Sequence, residues 1–174
     1  GLCLVGSEMC IRDRFDIEEV GNPIPFKWGK CKLATSAYGH GITTTPLQLA
    51  KAYAIIANGG YKIEPTLLKK EKKLKRGEQI ITQENSNKIN EILRKIVTSE
   101  QGTANLANIA GYEIAGKTGT AQKSIKGKYS KKKINTFASI FPISTPKYVL
   151  IVLLDEPKLS CLLYTSPSPR DRVQ

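Results

Sequence analysis

"GYEIAGKTGTAQ", residues 111–122, supports two incompatible readings. Residues 111–118 fit the phosphate-cradling pattern G-x-x-x-x-G-K-[ST] without a mismatch. Such a loop needs a buried strand ending at its first glycine and a helix beginning near its Lys-Thr. The same residues also read as one extended strand, which the stiff, β-branched Ile114 favours. The flanks choose between the two. "NLANIA" (105–110) precedes Gly111 and has no strand character. After Thr118 come Gly119, a short apolar–polar alternation and a lysine-rich stretch, with no amphipathic helix. The interior "YEIA" lacks glycines whose amides could converge on phosphate. One feature helps the phosphate loop: "YVLIVLLD" (148–155) imitates the strand whose terminal Asp helps to hold magnesium. Asp155 reads better as the polar end of a buried strand. The strand reading is preferred, and a P-loop nucleotide hydrolase stays as the alternative.

The ends of the chain stand apart from its middle. "LVGSEMCIRDR" (4–14) and "CLLYTSPSPRD" (161–171) can be encoded by a single DNA segment read on opposite strands. Selection does not make the two ends of a gene reverse complements, and the shared DNA resembles a transposon-end adapter used to prepare sequencing libraries. Residues 1–14 and 160–174 are therefore expected to be non-native adapter translation, excluded from fold reasoning. Residues 15–159 are expected to be genuine and cut from a longer product. By size they make one domain or part of one.

Trimming leaves Cys31 alone of four cysteines, so no disulfide framework or metal cluster is expected. A lone cysteine is most often a small buried hydrophobe. The net charge of +12 gathers in "KKEKKLKR" (69–76) and "KSIKGKYSKKK" (123–133), both read as solvated loops. No aromatic platform or recognition motif accompanies it, so nucleic acid is not an expected partner. There is no apolar run of transmembrane length and no signal peptide, which says nothing about a parent cut at both ends.

A helix should open at Thr45 and Pro46, with Leu47, Ala50, Ala54 and Ile55 at helical spacing. "NGG" (58–60) should stop it. "YKIEPTLLKK" (61–70) looks like an extended edge segment, with Pro65 tolerated only at an edge. A second helix fits 84–98, where Ile89, Ile92, Leu93, Ile96 and Val97 form an apolar stripe. Three extended stretches follow: 113–122, 136–141 and 148–155. "PISTPK" (142–147) is short enough to join the last two as an antiparallel hairpin.

Lys117-Thr118-Gly119 is also the K-T-G triplet of the penicillin-interacting serine enzymes. Alone it is weak, but it has company. "AYGHGITTTPLQLAKAYAIIANGG" (37–60), "GTA" (102–104), "AGYEIAGKTGTAQ" (110–122) and "FPISTPKYVLIVLLDEP" (141–157) closely resemble, in order and spacing, segments of penicillin-binding proteins. Ala121 after K-T-G-T resembles the class B transpeptidases, and "PFKWGKCKLAT" (25–35) leans towards the division-type members. The resemblance covers residues 21–157.

It implies an α/β fold of the α+β type, an antiparallel sheet flanked by helices as in penicillin-binding transpeptidases and serine β-lactamases, here incomplete. The implied activity is peptidoglycan D,D-transpeptidation: a serine attacks the D-Ala-D-Ala carbonyl of a stem peptide, and the acyl group passes to an amine on a neighbouring strand. The implied catalytic residues are Lys117, placing charge beside the proton relay, and Thr120, whose backbone N–H supplies half an oxyanion hole. Thr118 and Thr120 bind the substrate carboxylate through their hydroxyls, and Gly119 lets the peptide lie against the strand. No cofactor or metal is implied. The implied partners are stem peptides, β-lactams and the division or elongation machinery, and the implied location is the periplasmic face of the bacterial inner membrane. A D-Ala-D-Ala carboxypeptidase, a β-lactamase-like relative and a non-catalytic fragment remain alternatives.

Two family motifs that should precede K-T-G are missing. No S-x-N occurs in the chain, and its one S-x-x-K, Ser130 to Lys133, follows the box in a stretch where lysines make the match cheap. Ser130 is rejected as nucleophile, which is expected upstream of Phe15. His40 reads as structural, near the turn at 39–41, and Trp28 and Tyr38 as packing residues.

Overall fold

The computed structural model describes residues 44–67, 77–125 and 128–157, with the side chains of 124–129 and 131 left undescribed. Cys31, Trp28, Tyr38, His40, the basic run 69–76 and both expected adapter ends lie outside the described residues.

Helix α1 spans Pro46–Ala57 and α2 spans Gln83–Thr98; a single 3₁₀ turn covers Asn105–Ala107. Three strands follow: β1, Ala115–Ile125; β2, Lys128–Phe141; and β3, Tyr148–Asp155. They form an antiparallel sheet in the order β1-β2-β3. The expected pairing of the three stretches is what the structure shows.

The start of α1 follows its sequence signals closely. Gln48 N–H donates to Thr45 Oγ1 at 3.1 Å, and Thr45 N–H donates to Gln48 Oε1 at 3.0 Å. This reciprocal box satisfies two donors that a helix N-terminus otherwise leaves free. At the other end, Gly59 and Gly60 take φ of 72° and 93°, which glycine adopts without a Cβ penalty. Thr82 caps α2 by accepting from Asn85 N–H at 3.3 Å.

The core shows why the helices sit where they do. Ala115, Ile140 and Val149 form one row across the sheet. Onto that row pack Leu93, Ile89 and Ile96 of α2 and Tyr53, Ile56 and Ala57 of α1. Both described helices therefore cover the same face. The residues of α1 that meet this row are Tyr53, Ile56 and Ala57, not the stripe read from the sequence. On α2, Leu93 and Val97 are buried, but Ile92 is 57% exposed. The periodicity placed Ile92 on the stripe, yet it sits at the stripe's exposed margin. Ser86 Oγ and Asn90 Nδ2 of α2 both donate to the Ile56 carbonyl, tying the helices together.

Two further expectations need correction. Within 61–67 there is no strand; Tyr61 makes an isolated bridge to Gln79, and Lys62 N–H donates to Glu78 O at 2.8 Å. With Pro65 unable to donate, a longer ladder has nothing to continue on. The lysine-rich stretch 123–133 is not a loop. Its backbone belongs to the ends of β1 and β2, which run on to pair Ile125 with Lys128. Charge did not mark a loop there because strand pairing is made by the backbone, which lysine side chains do not interrupt.

That arm carries its own electrostatic clasp. Lys123 Nζ lies 2.7 Å from Asp155 and 2.8 Å from Glu156, and Lys132 Nζ lies 2.9 Å from Glu156. Hydrogen bonds to Asp155 and then Glu156 raise the Lys123 pKa above 10.5. Hydrogen bonds from Lys123 and then Lys132 lower Glu156 below 4.5. A lowered carboxylate stabilises above its unfolded pKa and loses that effect as pH falls through the folded value. A raised lysine loses its effect as pH climbs through its folded value. The clasp should therefore hold from roughly pH 5 to pH 10. Because these pairs are solvent-exposed and individually weak, Lys123→Met should speed amide exchange in residues 121–125 and 130–134 while barely moving the melting temperature. Unchanged exchange in the arm would show that the clasp holds nothing.

Candidate active site

The structure places Lys117, Thr118, Gly119 and Thr120 consecutively on β1, in extended backbone. This decides between the two readings of residues 111–122. A phosphate loop would curl around 111–118 and enter a helix at Lys117, whereas here a strand runs from Ala115 to Ile125. The phosphate-loop alternative is overturned.

The N-terminal end of β1 is pinned from both sides. Arg94 of α2 donates through Nη1 to the Ile114 carbonyl at 2.6 Å. Ile143 N–H donates to Glu113 O at 2.8 Å, and Ser144 N–H donates to Glu113 Oε2 at 3.1 Å. The bonds to Ser144 hold the Glu113 carboxyl below its ordinary pKa, with a smaller contribution from Arg94. Sequence reasoning singled out neither Arg94 nor Glu113. Glu113 lies inside "YEIA" and Arg94 stands on α2, so no local pattern in the sequence marked the pair.

Along β1 the side chains alternate between faces. Lys117 lies opposite Ala138 and Gly119 opposite Thr136, on the face that holds the helices. Thr118 lies opposite Phe137 and Thr120 opposite Asn135, on the other face. Lys117 is exposed and donates to the Thr118 carbonyl at 3.1 Å. Thr118 is half-buried, and Gly119 and Thr120 are exposed. Among the described residues β1 pairs only with β2, so its other edge is open. Residues two apart in a strand send their backbone groups to the same edge, so Thr118 and Thr120 act together there.

The two glycines of this strand differ in kind. A Cβ on Gly116 would stand 2.6 Å from Ala138 O and 3.0 Å from Ser139 Cβ, so packing demands glycine. A Cβ on Gly119 would find its nearest neighbour, Thr136 O, at 4.0 Å. Nothing in the described fold requires glycine at 119, and glycine inside a strand costs about 0.5–1 kcal/mol relative to alanine.

Two residues away from β1 are also placed. Ser130 lies within β2, and its Oγ accepts from Lys132 N–H at 3.2 Å. It sits at no helix start, as its rejection requires. Asp155 ends β3 and binds Lys123. A residue outside the expected set also stands out. Asn135 is 1% exposed, and neither polar atom of its amide has a partner among the described residues. Leaving such a group unpaired costs roughly 1–3 kcal/mol. The sequence-based strand began at 136 and so stopped one residue short of it.

Residues 12–172 match the penicillin binding protein transpeptidase domain family, and the chain belongs to that family. The match runs into the residues expected to be adapter-derived at both ends. The chain is 31% identical over 156 residues to a probable peptidoglycan D,D-transpeptidase FtsI of Caulobacter vibrioides, covering 83% of this chain and 26% of the relative. The transpeptidase domain of Burkholderia pseudomallei penicillin-binding protein 3 superposes with a TM-score of 0.72 at 31% identity, over 79% of this chain and 42% of that one. Mycobacterial penicillin-binding protein 3, complexed with ampicillin, gives 0.68 at 30% identity over 75% and 33%. The fold is that of these transpeptidases, as the K-T-G reading implied. The chain spans about a quarter to a third of the length of the curated relatives.

Proposed function

We propose that the protein of which this chain forms part is a division-type peptidoglycan D,D-transpeptidase, and that residues 117–120 border its reaction centre. The observation that carries this is Gly119. It has open space where a side chain would go, on a strand whose outer edge is unpaired among the described residues, between two threonines that share that edge. A substrate peptide can lie along such an edge as an added strand, and a side chain at 119 would lift it away. Thr118 and Thr120 then offer two hydroxyl donors to the terminal carboxylate of the D-Ala-D-Ala unit.

Chemistry follows from the charges. The ammonium of Lys117 favours the anionic carboxylate and eases proton transfer from the attacking serine. That serine's oxygen bonds to the penultimate D-Ala carbonyl carbon. The oxygen of that carbonyl gathers negative charge, which the Thr120 N–H stabilises. The C–N bond then breaks and the terminal D-Ala leaves with a proton on its nitrogen. An amine from a second stem peptide attacks the ester and releases the serine. β-Lactams present the same carboxylate and an acylating carbonyl. This activity places the parent at the periplasmic face of the inner membrane, alongside division or elongation machinery. No helix among the described residues is long and apolar enough to cross a membrane.

Turnover by the full-length protein tests this. Given a donor peptide ending in D-Ala-D-Ala and an amine acceptor, it should release D-Ala and form the acceptor-linked product. D-Ala release with hydrolysed donor alone, at every acceptor concentration, would make it a carboxypeptidase.

A further inference from the structure

The β3 side of the sheet carries Leu150, Val152 and Leu154 on an exposed apolar stripe, but the most informative residue on that face is polar. Thr120, Asn135 and Leu154 form one row across β1, β2 and β3, with no register break between β1 and β2 until after Gln122. Directly opposed residues of an antiparallel pair hold their Cβ atoms about 4.5–5.5 Å apart on the same face. An amide and a hydroxyl at that spacing can meet through side-chain rotation alone. Leu154 offers no polar group, so Thr120 is the hydrogen-bonding side chain of Asn135's row.

Asn135 is a poor choice for the fold itself. Asparagine is depleted in strands, and this one is buried with both Nδ2 and Oδ1 unpartnered among the described residues. An apolar residue of the same shape would hold the sheet better, since removing an unsatisfied buried amide altogether is neutral or stabilising. Ser139, a buried polar residue further along β2 on the same face, has its need met by the Leu150 carbonyl at 3.3 Å. Asn135 alone of the two keeps unused hydrogen-bonding capacity, and it keeps it beside Thr120.

We infer that Asn135 is a positioning residue for Thr120, resting on the reading of Thr120 as a carboxylate-binding hydroxyl. A threonine hydroxyl has one hydrogen to give and lone pairs to receive. If the Asn135 amide N–H donates into the Thr120 oxygen, the hydroxyl hydrogen stays aimed at the substrate carboxylate. Donation into that oxygen also polarises the O–H and strengthens the bond it makes. The amide stays unpaired until the hydroxyl is fixed by a carboxylate, and the two bonds then form together. The effect belongs to binding of the carboxylate rather than to bond making at the carbonyl.

The test is a double-mutant cycle in the full-length protein, read as the acylation kinetics of a fluorescent penicillin. Asn135→Leu should raise the penicillin concentration giving half-maximal rate about 3–10-fold, leave the limiting acylation rate within about twofold, and hold or raise the melting temperature. In a Thr120→Val background, Asn135→Leu should change nothing further. Asn135→Ala, which keeps the sheet if leucine does not fit, should behave the same way. Equal losses from Asn135→Leu in both backgrounds, or no loss in either, overturn the inference while leaving Thr120's role intact. If Thr120→Val itself has no effect on half-maximal concentration, the reading of Thr120 fails first and the inference goes with it.

Discussion

Lys117→Ala in the full-length protein is expected to slow acylation by a fluorescent penicillin about 10²–10³-fold, the loss seen when one group that stabilises charge at a reacting centre is removed. The exposure of Lys117 and its one described contact, to the Thr118 carbonyl, make the experiment clean. Surface substitutions of that kind usually move stability by no more than about 0.5 kcal/mol, so the melting temperature should hold while the rate collapses. Thr118→Val, nearly isosteric, should cost less, because Thr120 still offers its hydroxyl to the same carboxylate. A Lys117→Ala variant that acylates within a few-fold of the natural rate would remove Lys117 from the chemistry.

The largest effect on stability should come from Ile140→Ala. Ile140 is 0% exposed and stands in the row formed with Ala115 and Val149, on which Leu93 and the facing residues of both helices pack. Truncating a buried isoleucine to alanine costs about 2–5 kcal/mol through lost burial and the cavity left behind. In a domain of the size seen among relatives, each kcal/mol moves the melting temperature by about 2–4 °C. Calorimetry of the full-length protein should therefore show a drop of several degrees at least. Ile92→Ala is the matched control. Periodicity put Ile92 on the apolar stripe of α2, but it is 57% exposed and its loss should be nearly silent.

That pair shows where the sequence was legible and where it was not. Short-range chemistry was readable: Thr45 with Pro46 announced α1, and the apolar run at 148–155 announced β3 with its bounds intact. The choice of strand over phosphate loop at Lys117 was also readable, because a loop makes demands on its flanks that "NLANIA" cannot meet. Margins were not. Whether Ile92 or Ile89 faces the sheet depends on how α2 is rotated against β1, a tertiary property in which Leu93, Ile89 and Ile96 pack on the sheet and Arg94 reaches the Ile114 carbonyl. The charge of 123–133 hid a hairpin because strand pairing there is made by backbone, on which lysine side chains leave no mark. Of the proposed site, residues 117–120 come from the motif. Asn135 was not, since its meaning depends on standing opposite Thr120, and register is a property of the pairing rather than of either strand.

Gel labelling with a fluorescent penicillin tests the central claim most directly, applied to the full-length protein, its Lys117→Ala variant and the 174-residue chain itself. The chain carries Lys117 and the Thr120 amide but, on this account, no serine placed to be acylated. Labelling is predicted to be strong in the full-length protein, nearly lost in Lys117→Ala, and absent in the 174-residue chain. A specific covalent label on the 174-residue chain, above all at Ser130, would contradict the account, as would an unlabelled full-length protein that is folded.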